Sequence, residues 1–452
     1  DELLGTIDDA QINAALSENE SPLYGLDGPM VLVHDDSDKD GIVDSGEKAY
    51  LLVSMRRGGR NIYALDISNS SVPKLAWEIK GGVTSGFEKL AQTWSTPQIG
   101  KIKGYDGTVV AFGGGYDEDQ DAITGNRQND DIGNAIYIVD AWTGSRVKTI
   151  TNSGGDINIS AMNNGIASGV RLVDINNDGY AERLYAADVG GRVIRVDLEA
   201  ENGAGTGGIL ADVNEGDAAG NRRFFTEPEI GYLSQGQRYL VITIGSGNRP
   251  DPLSNTVTDR FYAIKDYDIF QEKDWDSFTP YTHANNDFLD ITTNLVQMGT
   301  EEQQQVVIED LQDSNGWFYT LPNTGEKVLS KALIANYAVM FTTYSGERSD
   351  DISPCEASAT TGTARFYALD LRHGGARFSE IDGNEDDLDT DDRSTTLNLP
   401  GLPPPPQLII PPPEITGRSE VVAIVGLDFL LRWSDRFKAI YWEQLIDATD
   451  DD

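Results

Sequence analysis

Residues 62–66 read IYALD: two apolar or aromatic residues, a small residue, an apolar residue and an aspartate. Such a phrase predicts the end of an inner strand with an aromatic pair, where the aspartate starts the turn to the next strand. Copies of the phrase recur about 50 to 75 residues apart. Because this spacing is longer than the repeat length of compact propellers, insertions in the loops are expected. The copies are residues 136–140 (IYIVD), 193–197 (VIRVD), 261–264 (FYAI, with Lys265 for the aspartate), 366–370 (FYALD) and, more weakly, 316–321 (GWFYTL).

Short runs rich in Val, Ile, Tyr and Phe fill the chain between these phrases, separated by Gly, Asn, Asp and Ser. This spacing predicts an all-β protein. Strands are expected at residues 50–55, 108–112, 239–244 and 338–343. Helical periodicity is scarce; short helices are expected at residues 9–18 and from Asp259 or Ser277.

The recurring phrase favours a propeller because a four-stranded sheet cannot bury both faces alone, whereas sheets stacked radially can. We predict a modified β-propeller of about seven blades with long loop insertions, formed by residues 1–452 as a single domain. The tyrosines of four copies of the phrase should then lie at equivalent blade positions: Tyr63, Tyr137, Tyr262 and Tyr367. A two-sheet sandwich, in which the phrase is merely a common strand end, is the alternative.

Residues 382–418 differ in composition from the rest of the chain. They begin with an acidic run, residues 382–393, which is expected to be a solvated loop. Prolines at 403–406 and 411–413 follow and should be extended and rigid. We interpret the segment as an acidic, proline-rich insertion that straps a final strand, residues 421–425, back onto the sheet; a plain linker is the alternative.

The charge balance limits the partners of the chain. Its 35 Lys and Arg against 74 Asp and Glu give a net charge of −39. Such a field repels nucleic acid and anionic membranes and favours cations or basic partners, although acidity can also serve solubility alone. The apolar stretch 421–431 is interrupted by Asp428 and too short to span a bilayer. Because the chain starts at Asp1 without a signal segment, it is expected to be an exported chain with its signal removed or a fragment of a longer protein.

Two acidic strings match a calcium-loop pattern. Residues 36–44 read DSDKDGIVD and residues 174–182 read DINNDGYAE; we name them the first and second acidic loops. Calcium takes six to eight oxygens, which carboxylates at positions one, three and five, a carbonyl at seven and an acid at nine can supply, while glycine at six permits the turn. The predicted Ca²⁺ ligands are Asp36, Asp38, Asp40, the carbonyl of Ile42 and Asp44, and Asp174, Asn176, Asp178, the carbonyl of Tyr180 and Glu182.

These loops differ from EF-hands, which place glutamate at position twelve and need a helix on each side. Glu47 stands at position twelve of the first loop and is interpreted as a spare acid. Strand-like sequence follows both loops, so strand–loop–strand sites are predicted. The alternative is an Asp/Asn/Gly turn without metal.

Catalytic patterns do not emerge from the sequence. The three histidines form no HExxH motif, and no GxSxG or P-loop is present. The lone Cys355 permits no internal disulfide, including the vicinal disulfide of many quinone-dependent propeller enzymes. We therefore predict a protein that is not an enzyme, with a quinone-dependent propeller dehydrogenase as the alternative.

Several phrases, in order along nearly the whole chain, resemble one family, the C-terminal propeller domain of the PilY/PilC proteins of type IV pilus tips. The phrases are residues 56–60 (RRGGR), 63–66 (YALD), 94–97 (WSTP), 112–117 (FGGGYD), 133–140 (GNAIYIVD), 245–249 (GSGNR), 259–263 (DRFYA), 342–344 (TTY), 354–355 (PC) and 401–404 (GLPP).

The resemblance implies export to the periplasm, outer membrane or cell surface and a place at the pilus tip. It implies calcium binding in the second acidic loop, where Glu182 departs from the family's usual aspartate, and a link from calcium occupancy to pilus extension, retraction and twitching motility. The implied partners are minor pilins or other tip proteins, and host or abiotic surfaces. A surface-adhesion propeller unrelated to pili is the remaining alternative.

Overall fold

The computed structural model describes residues 24–123, 125–199, 205–235, 237–346, 362–379, 381, 388–410 and 420–434. The helix expected at residues 9–18 and Cys355 lie outside these ranges. The described strands form six sheets in chain order, and most neighbouring strands within a sheet pair antiparallel. The four expected strands are present, at Ala49–Ser54, Val109–Gly113, Gln237–Gly245 and Ala338–Ser345.

The first sheet contains β1 (Met30–His34), β2 (Ala49–Ser54), β3 (Asn61–Asp66) and β4 (Lys74–Lys80). The second contains β5 (Gln98–Gly100), β6 (Val109–Gly113), β7 (Ala135–Asp140), β8 (Arg146–Thr151) and β9 (Ile157–Asn158). The third contains β10 (Arg171–Val173), β11 (Arg183–Ala187), β12 (Arg192–Asp197) and β13 (Thr206–Asp212).

The fourth sheet contains β14 (Glu229–Gln235), β15 (Gln237–Gly245), β16 (Arg260–Asp266) and, after an insertion, β19 (Gly316–Thr320). The fifth contains β20 (Lys327–Val328), β21 (Leu333–Ala335), β22 (Ala338–Ser345), β23 (Thr363–Asp370) and β24 (Ser394–Leu397). The sixth contains β25 (Gln407–Ile409), β26 (Glu420–Val425) and β27 (Asp428–Ser434). Short 3₁₀ turns occur at Arg56–Gly58, Glu118–Ala122 and Asp391–Arg393.

Apolar side chains are buried between each sheet and the next. Leu52 and Ile62 of the first sheet share a cluster with Phe112 and Tyr137 of the second. Four more clusters join the second to the third sheet, the third to the fourth, the fourth to the fifth and the fifth to the sixth. Sheets that bury their faces in sequence in this way form a propeller. Six sheets lie in the described ranges; the count of about seven blades stays a prediction.

The recurring phrase lies on the third strand of its sheet in five copies. These strands are β3, β7, β12, β16 and β23, and the four tyrosines occupy this strand in the first, second, fourth and fifth sheets. Each of these five strands has a neighbour on both sides within its sheet, so the phrase lies on an inner strand of the sheet, as predicted. The weak copy at 316–321 falls on β19, a fourth strand.

The aspartate of the phrase starts a turn, as predicted. Asp140 accepts hydrogen bonds from the backbone N–H groups of Trp142, at 3.1 Å, and Thr143, at 2.8 Å. Asp66 and Asp370 accept the N–H two residues on in the same way. These side-chain hydrogen bonds satisfy backbone N–H groups that no longer have a partner in the neighbouring strand once the strand has ended.

The insertion between β16 and β19 connects two sheets. Its strand β17 (Tyr281–Thr282) pairs parallel with β13 of the third sheet, and β18 (Leu289–Asp290) pairs parallel with β19 of the fourth. Helices α1 (Leu295–Met298) and α2 (Glu301–Asp313) follow. The helix expected from Asp259 or Ser277 is absent from the described residues; α2 begins instead at a capping box between Thr300 and Gln303. Within the described part of the chain, no helix combines the length and hydropathy of a membrane span.

The acidic, proline-rich segment is described only in part. Asp392 and Arg393 are each 1% exposed, so the end of the acidic run is not a solvated loop. The reason is that the guanidinium of Arg393 donates to the carbonyls of Ile291, at 2.8 Å, and Thr292, at 2.9 Å. Farther on, β25 pairs with β26, the strand expected at residues 421–425. Residues 382–387 and the prolines at 411–413 lie outside the described residues.

Candidate metal-binding loops

Both acidic loops connect the first strand of a sheet to the second. The first follows β1 in the first sheet, and the second joins β10 to β11 in the third sheet. Because neighbouring strands run antiparallel, these connections lie at the same end of their sheets. The two loops therefore occupy equivalent positions, two sheets apart.

The second acidic loop wraps its backbone around its own side chains. The carboxylate of Asp174 accepts the N–H groups of Asp178, at 3.2 Å, and Gly179, at 2.7 Å. Asn176 Oδ1 also accepts the N–H of Asp178, at 2.8 Å, and Asp178 Oδ1 accepts the N–H of Tyr180, at 3.0 Å. These bonds hold the side chains at positions one, three and five on the inside of the turn.

The first acidic loop repeats this pattern position by position. Asp36 accepts the N–H groups of Asp40, at 3.1 Å, and Gly41, at 3.0 Å. Asp38 accepts that of Asp40 at 3.3 Å, and Asp40 accepts that of Ile42 at 2.7 Å. The backbone φ angles agree as well: +63° and +61° at position four, +78° and +90° at the glycine in position six. Two stretches of different sequence thus adopt one turn.

Carboxylate oxygens converge in each loop. One oxygen from each of Asp36, Asp38 and Asp40 lies within 4.8 Å of the other two. The same holds for Asp174, Asp178 and Glu182. Hard oxygen donors in such a group suit a hard divalent cation such as Ca²⁺, so the residues present fit the predicted ion.

A glutamate completes each turn, from a different position. Glu182, at position nine, accepts the N–H of Ile175 at 2.7 Å and the side-chain amide of Asn176 at 2.8 Å. In the first loop the corresponding N–H, that of Ser37, is accepted by Glu47 at 2.8 Å. Glu47, interpreted above as a spare acid, therefore takes the place of Glu182.

Asp44 was predicted to close the first loop, and the structure gives it a different contact. Its backbone N–H donates to Glu47 Oε2 at 3.1 Å, and its carboxylate is not among the three that converge. Ile42 and Tyr180 lie at position seven, where their N–H groups meet Asp40 and Asp178. Their carbonyls stay predicted ligands.

Hydrogen bonds and charges favour the ionised acids. The N–H of Asp44, followed by the N–H and hydroxyl of Ser37, lowers the pKa of Glu47 to about 2. The N–H of Tyr180 and the ammonium of Lys103 lower the pKa of Asp178 below its ordinary value. Carboxylates that stay charged over the whole neutral and mildly acidic range are what a divalent cation requires.

A buried ion network supports the strand that leaves the second loop. Arg183 follows Glu182 directly and lies 2.8 Å from Asp197. Arg195, which is 0% exposed, bonds to Asp197 and to both carboxylate oxygens of Asp266, each at 2.8 Å. Since these groups are shielded from water, the network joins the third and fourth sheets rigidly beneath the loop.

The opposite end of the sheets carries a polar cavity of about 680 Å³. Its walls include Asn248, Asp259 and Lys327, and burial raises the pKa of Asp259 to about 6. Nearby, the guanidiniums of Arg56 and Arg57 lie 5.6 and 5.5 Å from the ring centre of Trp94. Three of the phrases that carry the family resemblance, at residues 56–60, 245–249 and 259–263, contribute residues to this cavity, away from the acidic loops.

Comparisons with known proteins agree with the predicted resemblance. The family model of the PilY1 β-propeller domain matches residues 18–224. The type IV pilus biogenesis factor PilY1 of Pseudomonas aeruginosa strain UCBPP-PA14 is 29% identical over 162 residues, 35% of this chain and 12% of that protein. A PilY1 homologue of Xylella fastidiosa strain Temecula1 is 21% identical over 387 residues, 79% of this chain and 23% of that protein.

A solved structure shows the same fold. The crystal structure of the P. aeruginosa PilY1 C-terminal domain has a TM-score of 0.61 and 17% identity, covering 90% of this chain and 83% of that one. The resemblance to the PilY/PilC family and the all-β propeller class are thereby confirmed. The match to the P. aeruginosa factor spans about one eighth of its length.

Proposed function

We propose that this chain, a relative of the C-terminal propeller domain of the type IV pilus biogenesis factor PilY1, is a calcium-binding module that regulates pilus extension and retraction. The observation that carries the proposal is the shared geometry of the two acidic loops. Each turns its backbone N–H groups onto the carboxylates at positions one and five and brings three acids within 4.8 Å.

Charge explains why such a loop would respond to calcium. Three carboxylates within one short turn repel one another, and a bound ion removes that repulsion. Binding stabilises the folded chain by RT ln(1 + [Ca]/Kd), about 2.7 kcal/mol at a hundredfold excess over Kd. Extracellular calcium modules bind with Kd values of roughly 10⁻⁴–10⁻³ M, so occupancy would follow the medium outside the cell.

The cellular setting is proposed from the relatives, which are named type IV pilus biogenesis factors. We place the protein outside the cytoplasm, at the pilus tip, the cell surface or the periplasm and outer membrane. Minor pilins or other tip proteins are the proposed partners, and host or abiotic surfaces the proposed targets of attachment. With a net charge of −39, the chain should bind neither DNA nor RNA.

Calorimetry on the purified chain tests the metal. Asp174→Ala/Asp178→Ala should remove one binding event and Asp36→Ala/Asp40→Ala the other, because each loses two of three converging carboxylates. The control, Asp131→Ala/Asp276→Ala, removes the same charge from exposed positions outside both loops and should bind calcium like the parent. Unchanged binding in both loop variants would refute the calcium sites.

Twitching assays in the source organism test the regulatory role. The loop variants should alter motility and its calcium dependence, whereas the Asp131→Ala/Asp276→Ala control should not. Normal motility in both loop variants, with calcium binding lost, would make the loops structural. Co-purification with minor pilins separates a pilus role from surface adhesion unrelated to pili.

A further inference from the structure

A lysine from the second sheet reaches into the second acidic loop. Lys103 lies in the turn between β5 and β6, and that turn is attached to the loop through the backbone. The N–H of Ala181 donates to the carbonyl of Lys101 at 2.8 Å, and Ile102, which is 3% exposed, forms a parallel bridge with Ala181. The position of Lys103 beside the loop is therefore set by tertiary structure.

The ammonium of Lys103 lies where a cation is expected. Its Nζ is 3.2 Å from Asp178 Oδ2 and 3.9 Å from Glu182 Oε1, two of the three converging carboxylates. It also lies 2.8 Å from Glu199 Oε2, outside the loop. The ammonium thus neutralises part of the loop and has a second partner close by.

The first acidic loop has a different neighbour. The ion pairs described for it involve His34, whose ring nitrogens lie 3.9 Å from Asp36 and 3.7 Å from Glu47. Within the described residues, the second loop has a lysine against its carboxylates where the first has a histidine, so two loops with one backbone geometry differ in the side chain beside them.

We infer that Lys103 is the affinity-determining residue of the second acidic loop: a tethered cation that a metal ion must displace. This inference rests on the proposed calcium binding. A divalent ion among Asp174, Asp178 and Glu182 would lie close to the ammonium, and like charges at that distance repel. The flexible four-carbon stem lets the ammonium leave the loop when the ion binds and keep its contact with Glu199.

Two consequences follow for the regulation of the site. In the described structure, no lysine lies against the carboxylates of the first acidic loop. The first loop therefore fills at a lower calcium concentration than the second. Filling of the second loop breaks the contact between Lys103 and that loop, so it loosens one tie between the second and third sheets. The second loop is therefore the one that responds to the higher calcium concentration.

Calorimetry in the Asp36→Ala/Asp40→Ala background isolates the second loop in the full chain. Lys103→Gln should raise its calcium affinity about fivefold or more, the factor expected from removing one like charge near 4 Å in water. Lys101→Gln is the matched control, because that exposed side chain lies two residues away and its backbone contact is kept. It should change the affinity less than twofold.

Glu199→Gln provides a second, independent variant. Loss of this partner should weaken calcium binding, since the displaced ammonium has no carboxylate to meet, and the effect should shrink when Lys103→Gln is also present. Thermal unfolding in the presence of a chelator gives a readout without metal. The Lys103→Gln variant should unfold at a lower temperature than the parent, because the carboxylates of the second acidic loop are no longer neutralised by the ammonium.

The outcomes separate the two proposals. Calcium binding that Asp174→Ala/Asp178→Ala abolishes but Lys103→Gln leaves unchanged or weakens would overturn the role of Lys103 alone. An equal gain from Lys101→Gln would also overturn it, since general charge would then be the cause. Absence of calcium binding in the parent chain would overturn the calcium sites and the role of Lys103 together.

Discussion

Glu47 and Glu182 accept the same backbone hydrogen bond in their two loops, although Glu47 stands at position twelve and Glu182 at position nine. The N–H at position two donates to each, from Ser37 at 2.8 Å and from Ile175 at 2.7 Å. The strands that leave the loops explain the difference, since β2 begins at Ala49, two residues after Glu47, and β11 begins at Arg183, directly after Glu182. In each loop, the acid nearest the outgoing strand closes the turn.

This relationship predicts unequal effects of two acids in the first loop. Glu47→Gln should weaken calcium binding there by about tenfold or more, as expected when a group that holds a ligand loop in place loses its charge. Asp44→Asn should have a much smaller effect, because the contact given for Asp44 is its backbone N–H on Glu47. Calorimetry in the Asp174→Ala/Asp178→Ala background measures both; a larger loss from Asp44→Asn would restore Asp44 as the closing ligand.

Gly179→Ala should strain the second loop without any steric clash. The φ angle there is +90°, and a Cβ would meet no atom within 4 Å, so the cost is backbone strain of about 1–2 kcal/mol. Gly25→Ala is the control, because a Cβ there is equally free and its φ angle is ordinary. Thermal unfolding in calcium and in chelator should show a loss for Gly179→Ala only; equal behaviour of the two variants would contradict the strain.

Arg195→Met should destabilise the chain by about 3–5 kcal/mol, since it leaves buried carboxylates without their partner. The carboxylates concerned are those of Asp197 and Asp266, both 0% exposed. Arg146→Ala is the control: its ion pair with Asp156 is 2.9 Å long but exposed, and its loss should cost less than about 1 kcal/mol. Urea unfolding compares them, and a small effect of Arg195→Met would show that the network adds little stability.

Asp259→Asn should change how stability depends on pH. Burial raises the pKa of Asp259 from 3.8 to about 6 in the folded chain. Because the folded state holds this proton more tightly than the unfolded state, the contribution to stability is present at acidic pH and is lost as the pH rises from about 4 through 6. The asparagine keeps an acceptor for the hydroxyl of Ser246, which lies 2.6 Å from Asp259 Oδ1.

The melting temperature of Asp259→Asn relative to the parent should therefore rise between pH 4 and pH 7. Thermal unfolding of both proteins in the same buffers measures this difference. A difference that stays constant or falls over the range would show that Asp259 is not the titrating group.

The sequence by itself determined the local features of this protein. The string D-x-[DN]-x-D-G specifies the turn of each acidic loop. The hydrogen bonds that form this turn join residues only two to five positions apart, as in Asp174 with Gly179. The aspartate that ends a phrase such as residues 136–140 likewise caps its own turn. Alternation of apolar residues and turn residues was enough to predict the strands, since both act over short stretches of chain.

Only the tertiary structure decided which distant groups meet. Lys103 lies 75 positions before Asp178 and reaches it because the second and third sheets pack together. Glu47 reaches Ser37 because β1 and β2 pair, with His34 opposite Ala49. The insertion that adds β17 and β18 to two different sheets left no periodic signal of its own. Contacts of this kind depend on the packing of whole sheets, which short-range sequence patterns do not encode.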